Sequence, residues 1–117
     1  MTAGERFPRA GRLVRPAELE RVARRGRRSR LPHLDVVWLD SEAGHPRLGL
    51  IVARFQSTAV ARNRLRRRLR EIWRRQLQSG MGPVDVVIRA RREAYHADFH
   101  MLRAELVGWV TVLNPAL

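Results

Sequence analysis

Residues 59–75, AVARNRLRRRLREIWRR, alternate apolar and guanidinium side chains with a helical period. Ala61, Leu65, Leu69, Ile72, Trp73 and Leu77 recur every three to four positions, which at about 100° per residue places them on one side of a helix. Asn63, Arg67, Arg70 and Arg74 form a stripe on the opposite side, and Arg64, Arg68 and Arg75 form a second stripe beside Glu71. A segment so divided needs a second layer against which to bury its seam, while its other face stays in water. Solvated helix faces normally mix charge signs to gain i,i+4 pairs. Here Glu71 is the only acid among eight arginines from Arg62 to Arg75. Like charges at this density repel unless a polyanion covers them, so the pattern predicts polyanion binding.

The rest of the chain agrees. All 24 basic residues are Arg and none is Lys, against 11 acids, for a formal net charge of +13. The planar guanidinium fork suits phosphate and guanine, although a GC-rich coding bias would favour Arg equally. Arginines are interleaved with apolar residues almost throughout, so the charge belongs to a folded body rather than to a disordered arm. At 117 residues the chain is one domain. The expected division is a loosely held basic extension over residues 1–12 and a single polyanion-binding domain over 13–117. There is no Cys, which excludes a disulfide framework and a thiolate metal site. The longest apolar stretches, near 36–39 and 106–113, fall short of the roughly 20 residues that span a bilayer. MTAGERFPRAGR carries no apolar run of the kind in a cleaved signal. A cytoplasmic protein with no membrane partner is expected.

Turn and period signals predict the elements. Pro16 opens a short helix ending at Arg25 before Gly26. A basic loop covers 27–30. A strand runs over 34–39 to Asp40, a hairpin turn over 41–46, and a second strand over 48–54, which Phe55 and Gln56 can extend. Ser57 or Thr58 caps the long helix, which Gly80, Gly82 and Pro83 end. Residues 84–90 make a further strand, and Asp98 caps a last helix stopped by Asn114 and Pro115. The expected fold class is α+β, a two-layer α/β sandwich of order α-β-β-(β)-α-β-α with helices on one face of a small mixed sheet.

In the strand at 84–90, alternation puts Val86, Ile88 and Ala90 on one face and Val87, Arg89 and then Arg91 on the other. With the first set packed on helices, Arg89 and Arg91 point from the open face, and a charged sheet face beside a basic helix forms a groove suited to a single strand. Phe55, between Arg54 and the basic helix, can stack on a base or pack in the core. Trp38, Trp73 and Trp109 lie within apolar patterns and are expected in the core. Catalytic patterns are poor. His96 and His100 have i,i+4 spacing but no third ligand nearby, His33 and His45 sit beside prolines, and Asp35, Asp40, Asp85 and Asp98 form no paired motif. No metal site and no organic cofactor are expected on the protein.

AVARNRLRRRLREIW (59–73) resembles the signature of the bacterial ribonuclease P protein family, whose central helix begins with an Arg-Asn-Arg motif. RVARRGRR (21–28), RLGLIVAR (47–54) and DVVIRAR (85–91) are similar to that family's first helix and its exit, the strand before the motif and the strand after it. The resemblance implies a sandwich like the second domain of ribosomal protein S5, with a left-handed βαβ crossover against the usual rule. It further implies a protein that assists a catalytic RNA in endonucleolytic removal of the 5′ leader from precursor tRNA, one protein per RNA, with the chemistry done by the RNA and its Mg²⁺. By position, Arg62, Asn63, Arg64, Arg66, Arg67 and Arg70 are the implied RNA contacts, and the helical stripe adds Arg74 to them. The implied leader cleft, between the sheet and the first helix, holds Leu19, Ala23, Val37, Arg54, Phe55, Arg89 and Arg91.

Some positions depart from the family pattern. Leu19, Ala23 and Val37 stand where cleft aromatics are usual, Ser57-Thr58 replaces a usual Gly-Asn, and Phe55 replaces a basic residue. Phe55 or the guanidinium planes of Arg54 and Arg89 then substitute for the missing stacking, which predicts strong phosphate tracking with weak base discrimination. A ribosomal-type structural RNA-binding protein would share the charge, size and fold. A duplex DNA binder would need a helix-turn-helix or zinc spacing, and a free-standing protein nuclease a metal-binding pattern of acids or histidines.

Overall fold

A computed structural model describes residues 9–113. Four strands form one sheet in the order β1-β2-β4-β3, with β1 at Arg27–Arg30, β2 at Leu34–Asp40, β3 at Arg47–Val52 and β4 at Val84–Ala90. Three helices, α1 at Pro16–Arg25, α2 at Ala59–Ile72 and α3 at Phe99–Leu113, pack around it. β3 and β4 are parallel neighbours joined through α2, and the other pairs are antiparallel.

Alternation divides the sheet. Leu34, Val36, Leu48, Val52, Val86, Ile88 and Ala90 face α2 and α3 and join Leu65, Leu69, Ile72, Leu102, Leu106 and Trp109 in the main core. Leu13, Val22, Val37 and Val87 form a smaller cluster on the opposite face, under α1. The expectation of helices on one face thus holds for α2 and α3, while α1 crosses the other. Only one turn of α1 is apolar on its inner side, so it covers part of that face. Trp73 and Trp109 are buried as expected, and Trp38, partly exposed, meets Trp109 edge to face at 5.4 Å.

Several boundaries differ from expectation. Residues 27–30 are a strand, because an edge strand needs backbone pairing on one side only and its side chains can all be charged. β3 ends at Val52, and Phe55 turns the chain at φ 51° instead of extending the strand. Thr58 is the cap of α2, its hydroxyl accepting from the Ala61 amide at 3.1 Å. Beyond Ile72 the helix continues as a π turn over Trp73–Leu77 and a 3-10 turn over Gln78–Gly80. Asp98 caps α3, as the Met101 amide donates to its Oδ1 at 2.8 Å. Asn114 and Pro115 lie outside the described residues, as do residues 1–8 of the expected loose extension. Residues 9–12 are held instead. They form a 3-10 turn and a parallel bridge from Arg12 to Leu48, and the His45 ring bonds the Ala10 carbonyl.

Candidate nucleic-acid interface

Burying Leu65, Leu69 and Ile72 fixes the rotation of α2, so Asn63, Arg64, Arg67 and Arg70 face outward. Among the described residues, the side chains of Arg64, Arg66, Arg67 and Arg70 make no hydrogen bond or ion pair. The Arg70 pKa is lowered, first by partial burial and then by the charges of Arg12 and Arg66. These three arginines line a shallow cavity of about 210 Å³ with Leu13, Val14, Leu19, Leu48 and Leu50. A cluster that raises its own energy in this way lowers it again by binding an anion.

The remaining motif arginines are engaged within the protein. Arg62 donates from Nε to the Val52 carbonyl at 2.7 Å, and Arg68 reaches the Ala97 carbonyl at 3.4 Å. Arg74 donates to both oxygens of Glu71, at 2.7 and 3.3 Å, and Arg75 meets the same carboxylate at 2.5 Å. The Glu71 pKa is lowered, chiefly by the hydrogen bond from Arg74. The expected RNA contacts therefore divide into Asn63, Arg64, Arg66, Arg67 and Arg70, which make no intramolecular side-chain bond among the described residues, and Arg62 and Arg74, which are anchored.

The second surface is the strip of sheet that α1 leaves bare. Register aligns Asp35, Arg89 and Ile51 across β2, β4 and β3 on the face that α1 crosses. Arg89 is exposed there, and Ile51 is 37 % exposed. Arg54 and Phe55 stand where the chain leaves β3. The Phe55 ring lies edge-on to Tyr95 at 6.3 Å, with the Arg92 guanidinium 5.3 Å from its centre and 42 % of the residue still exposed. Tyr95 holds the turn by donating to the Ala53 carbonyl at 2.6 Å.

Other expected cleft residues do different work. Val37 is buried under α1, and Leu19 and Ala23 are partly buried, Leu19 against Gly49. Val37 and Ala23 seat the helix, while Leu19 also lines the cavity beside Arg66 and Arg70. Arg91 continues the face of Arg89, but it curls back to donate to the Asp35 carboxylate at 2.7 Å and to the carbonyls of Leu31, Pro32 and Leu34. It is a tether, because carbonyls at the end of a strand need donors and its fork lies within reach. Sequence reasoning missed Ile51 and Asp35. Period-two alternation of β3 as Arg47, Gly49, Ile51 would have found the first. His96 and His100 are both exposed and belong to different elements. Among the described residues, no three His, Asp or Glu side chains are grouped to hold a metal, and no helix is long and apolar enough to cross a membrane.

Known proteins share this arrangement. The ribonuclease P protein component of Aliivibrio salmonicida is 32 % identical over 114 residues, covering 94 % of this chain and 95 % of its own. That of Methylococcus capsulatus is 40 % identical over 92 residues, covering 78 % and 71 %. The solved RNase P protein of Staphylococcus aureus superimposes with a TM-score of 0.81 at 22 % identity over 89 % of this chain and 95 % of that one. The Thermotoga maritima RNase P protein gives 0.76 at 25 % identity over 86 % and 96 %. The sequence profile of the family described as Ribonuclease P matches residues 7–114, nearly the whole chain, and with relatives at 32 % identity or more over most of their length the chain belongs to the ribonuclease P protein family.

Proposed function

We propose that the chain is the protein subunit of ribonuclease P, acting with a catalytic RNA in the cytoplasm, one protein per RNA, to remove the 5′ leader from precursor tRNA. The observation that carries this reading is the outward face of α2, where Arg64, Arg66, Arg67 and Arg70 stand without acid partners among the described residues, in a chain of this family. That face binds the catalytic RNA, with Asn63 inside it. The bare strip of sheet, with Ile51, Arg54, Phe55 and Arg89, takes the single-stranded leader. Arg89 and Arg54 follow its phosphates and the exposed side of Phe55 stacks on a base. Residues 13–117 act as the RNA-binding domain, preceded by the basic segment 1–12.

Hydrolysis belongs to the RNA and its Mg²⁺ in this proposal. The described residues offer no cluster of acids and histidines that would hold the ion, and the protein contributes charge and placement of the scissile strand. The test is cleavage of precursor tRNA by a bacterial ribonuclease P RNA at limiting Mg²⁺. Added protein is expected to lower the Mg²⁺ requirement, and an unchanged requirement with the cognate RNA overturns the reading in favour of a structural RNA-binding role.

A further inference from the structure

Asp85 is the one buried charged residue among those described, and the proposed RNA contacts do not use it. It lies on β4, on the face that α1 crosses. Arg47 of β3 grips it with two hydrogen bonds of 2.8 Å, Nε to Oδ1 and Nη2 to Oδ2. Arg21 of α1 donates to the same Oδ2 at 2.8 Å. The remaining nitrogen of Arg47, Nη1, donates to Glu18 of α1 at 2.7 Å. One carboxylate thus joins two strands to two points a turn apart on the helix. The Arg47 pKa is raised, foremost by its hydrogen bond with Asp85.

At the C-terminal end of α1 the Arg28 guanidinium of β1 donates to the Ala23 carbonyl, and the other contacts of α1 with the sheet include the apolar ones of Val22 on Val37 and Val87 and of Leu19 over Gly49. Apolar burial is non-directional and lets a helix shift by a fraction of a turn. Forked guanidinium–carboxylate bonds do not, since they demand fixed angles. A buried ion pair adds little net stability over an apolar replacement, so its distinctive contribution is geometry. We infer that Asp85 is a positioning residue, which through Arg21 and Arg47 sets where α1 lies across the sheet and thereby keeps bare the strip carrying Ile51 and Arg89. This inference rests on the leader-binding role proposed for that strip.

The chain has no Cys, so nitroxide labels at Ala17→Cys on α1 and Val112→Cys on α3, both exposed, report the helix position by pulsed electron resonance. The distance distribution is expected to be narrow in the parent and broad in Asp85→Asn and Arg21→Met, with Arg21→Lys restoring much of the narrow form. In holoenzyme assembled without labels, the preference for leader-bearing over leaderless tRNA is expected to fall about 10- to 100-fold in Arg21→Met, the scale of a misplacement near 1 Å, with affinity for the catalytic RNA unchanged. Should Asp85→Asn fail to fold, Arg21→Met decides, because Arg21 is one-third exposed and its loss leaves the Arg47 grip intact. A narrow distribution in Arg21→Met, or a full leader preference despite a broad one, overturns the role of Asp85. A parent holoenzyme indifferent to the leader overturns the leader reading instead, whatever the labels show.

Discussion

Arg62 donates its Nε–H to the carbonyl oxygen of Val52 at 2.7 Å, tying the first turn of α2 to the last residue of β3. An arginine of the Arg-Asn-Arg motif is therefore part of the architecture. Arg62→Ala leaves that strand-end carbonyl without its donor and is expected to cost about 1–2 kcal/mol of folding stability. Urea denaturation measures the loss, and an unchanged midpoint would show that the bond contributes nothing.

Arg67 and Arg70 face outward and are expected to behave in the opposite way. Replacing either with Ala should weaken binding to the catalytic RNA by roughly 1 kcal/mol and reduce the slope of log affinity against log salt by about one. The free protein should be no less stable, and Arg70→Ala should be slightly more so, since repulsion from Arg12 and Arg66 is relieved. A salt titration of binding paired with thermal melting checks both halves.

Gly26 ends α1 in close contact with the sheet. A Cβ there would stand 2.6 Å from the Val22 carbonyl oxygen and 2.7 Å from that of Trp38. Backbone atoms on two elements must then separate, so Gly26→Ala should cost about 1–3 kcal/mol. Gly82, with open space around its would-be Cβ, serves as the control, and Gly82→Ala should melt close to the parent.

Glu71 carries a pH signature. Its pKa is depressed below the ordinary 4.5, so the stabilisation from Arg74 and Arg75 is complete above that value and disappears as pH falls through the lowered one. The carboxylate is about a third exposed, so solvent screening limits the effect to a few tenths of a kcal/mol. The melting-temperature gap between the parent and Glu71→Gln should be constant near neutrality and close in acid, and a gap that widens in acid would contradict the assignment.

Leader binding should be strongly salt-dependent and weakly selective for sequence, because Arg54 and Arg89 on the strip and Arg92 beside Phe55 are exposed cations and Phe55 offers a ring that any base can stack on. Measuring the affinity of holoenzyme for precursors differing only in leader sequence, across a salt series, checks both properties. Salt-insensitive binding would mean that phosphate contacts do not dominate.

The two-faced character of α2, the bounds of α1 and β4, the Asp98 cap and the core tryptophans were legible in the residues themselves. Each depends on a period or a cap signal contained within a few neighbouring positions, and burial of Leu65, Leu69 and Ile72 forces the outward arginines to be where the period puts them. β1 was not legible, because its arginines have no apolar pattern and become a strand only through pairing with β2. The side of the sheet that α1 occupies, the curl of Arg91 onto Leu31 and Pro32, and the gathering of Arg21, Arg47 and Asp85 were likewise decided only in three dimensions. Arg21 and Asp85 are 64 positions apart, and no local pattern encodes which distant carboxylate a guanidinium will meet. The sequence by itself determined that this chain would carry a dense, acid-poor arginine face on a helix buried along one side only. Tertiary structure decided which of those arginines remain available to RNA, because a carbonyl or carboxylate brought within reach takes up a guanidinium's donors.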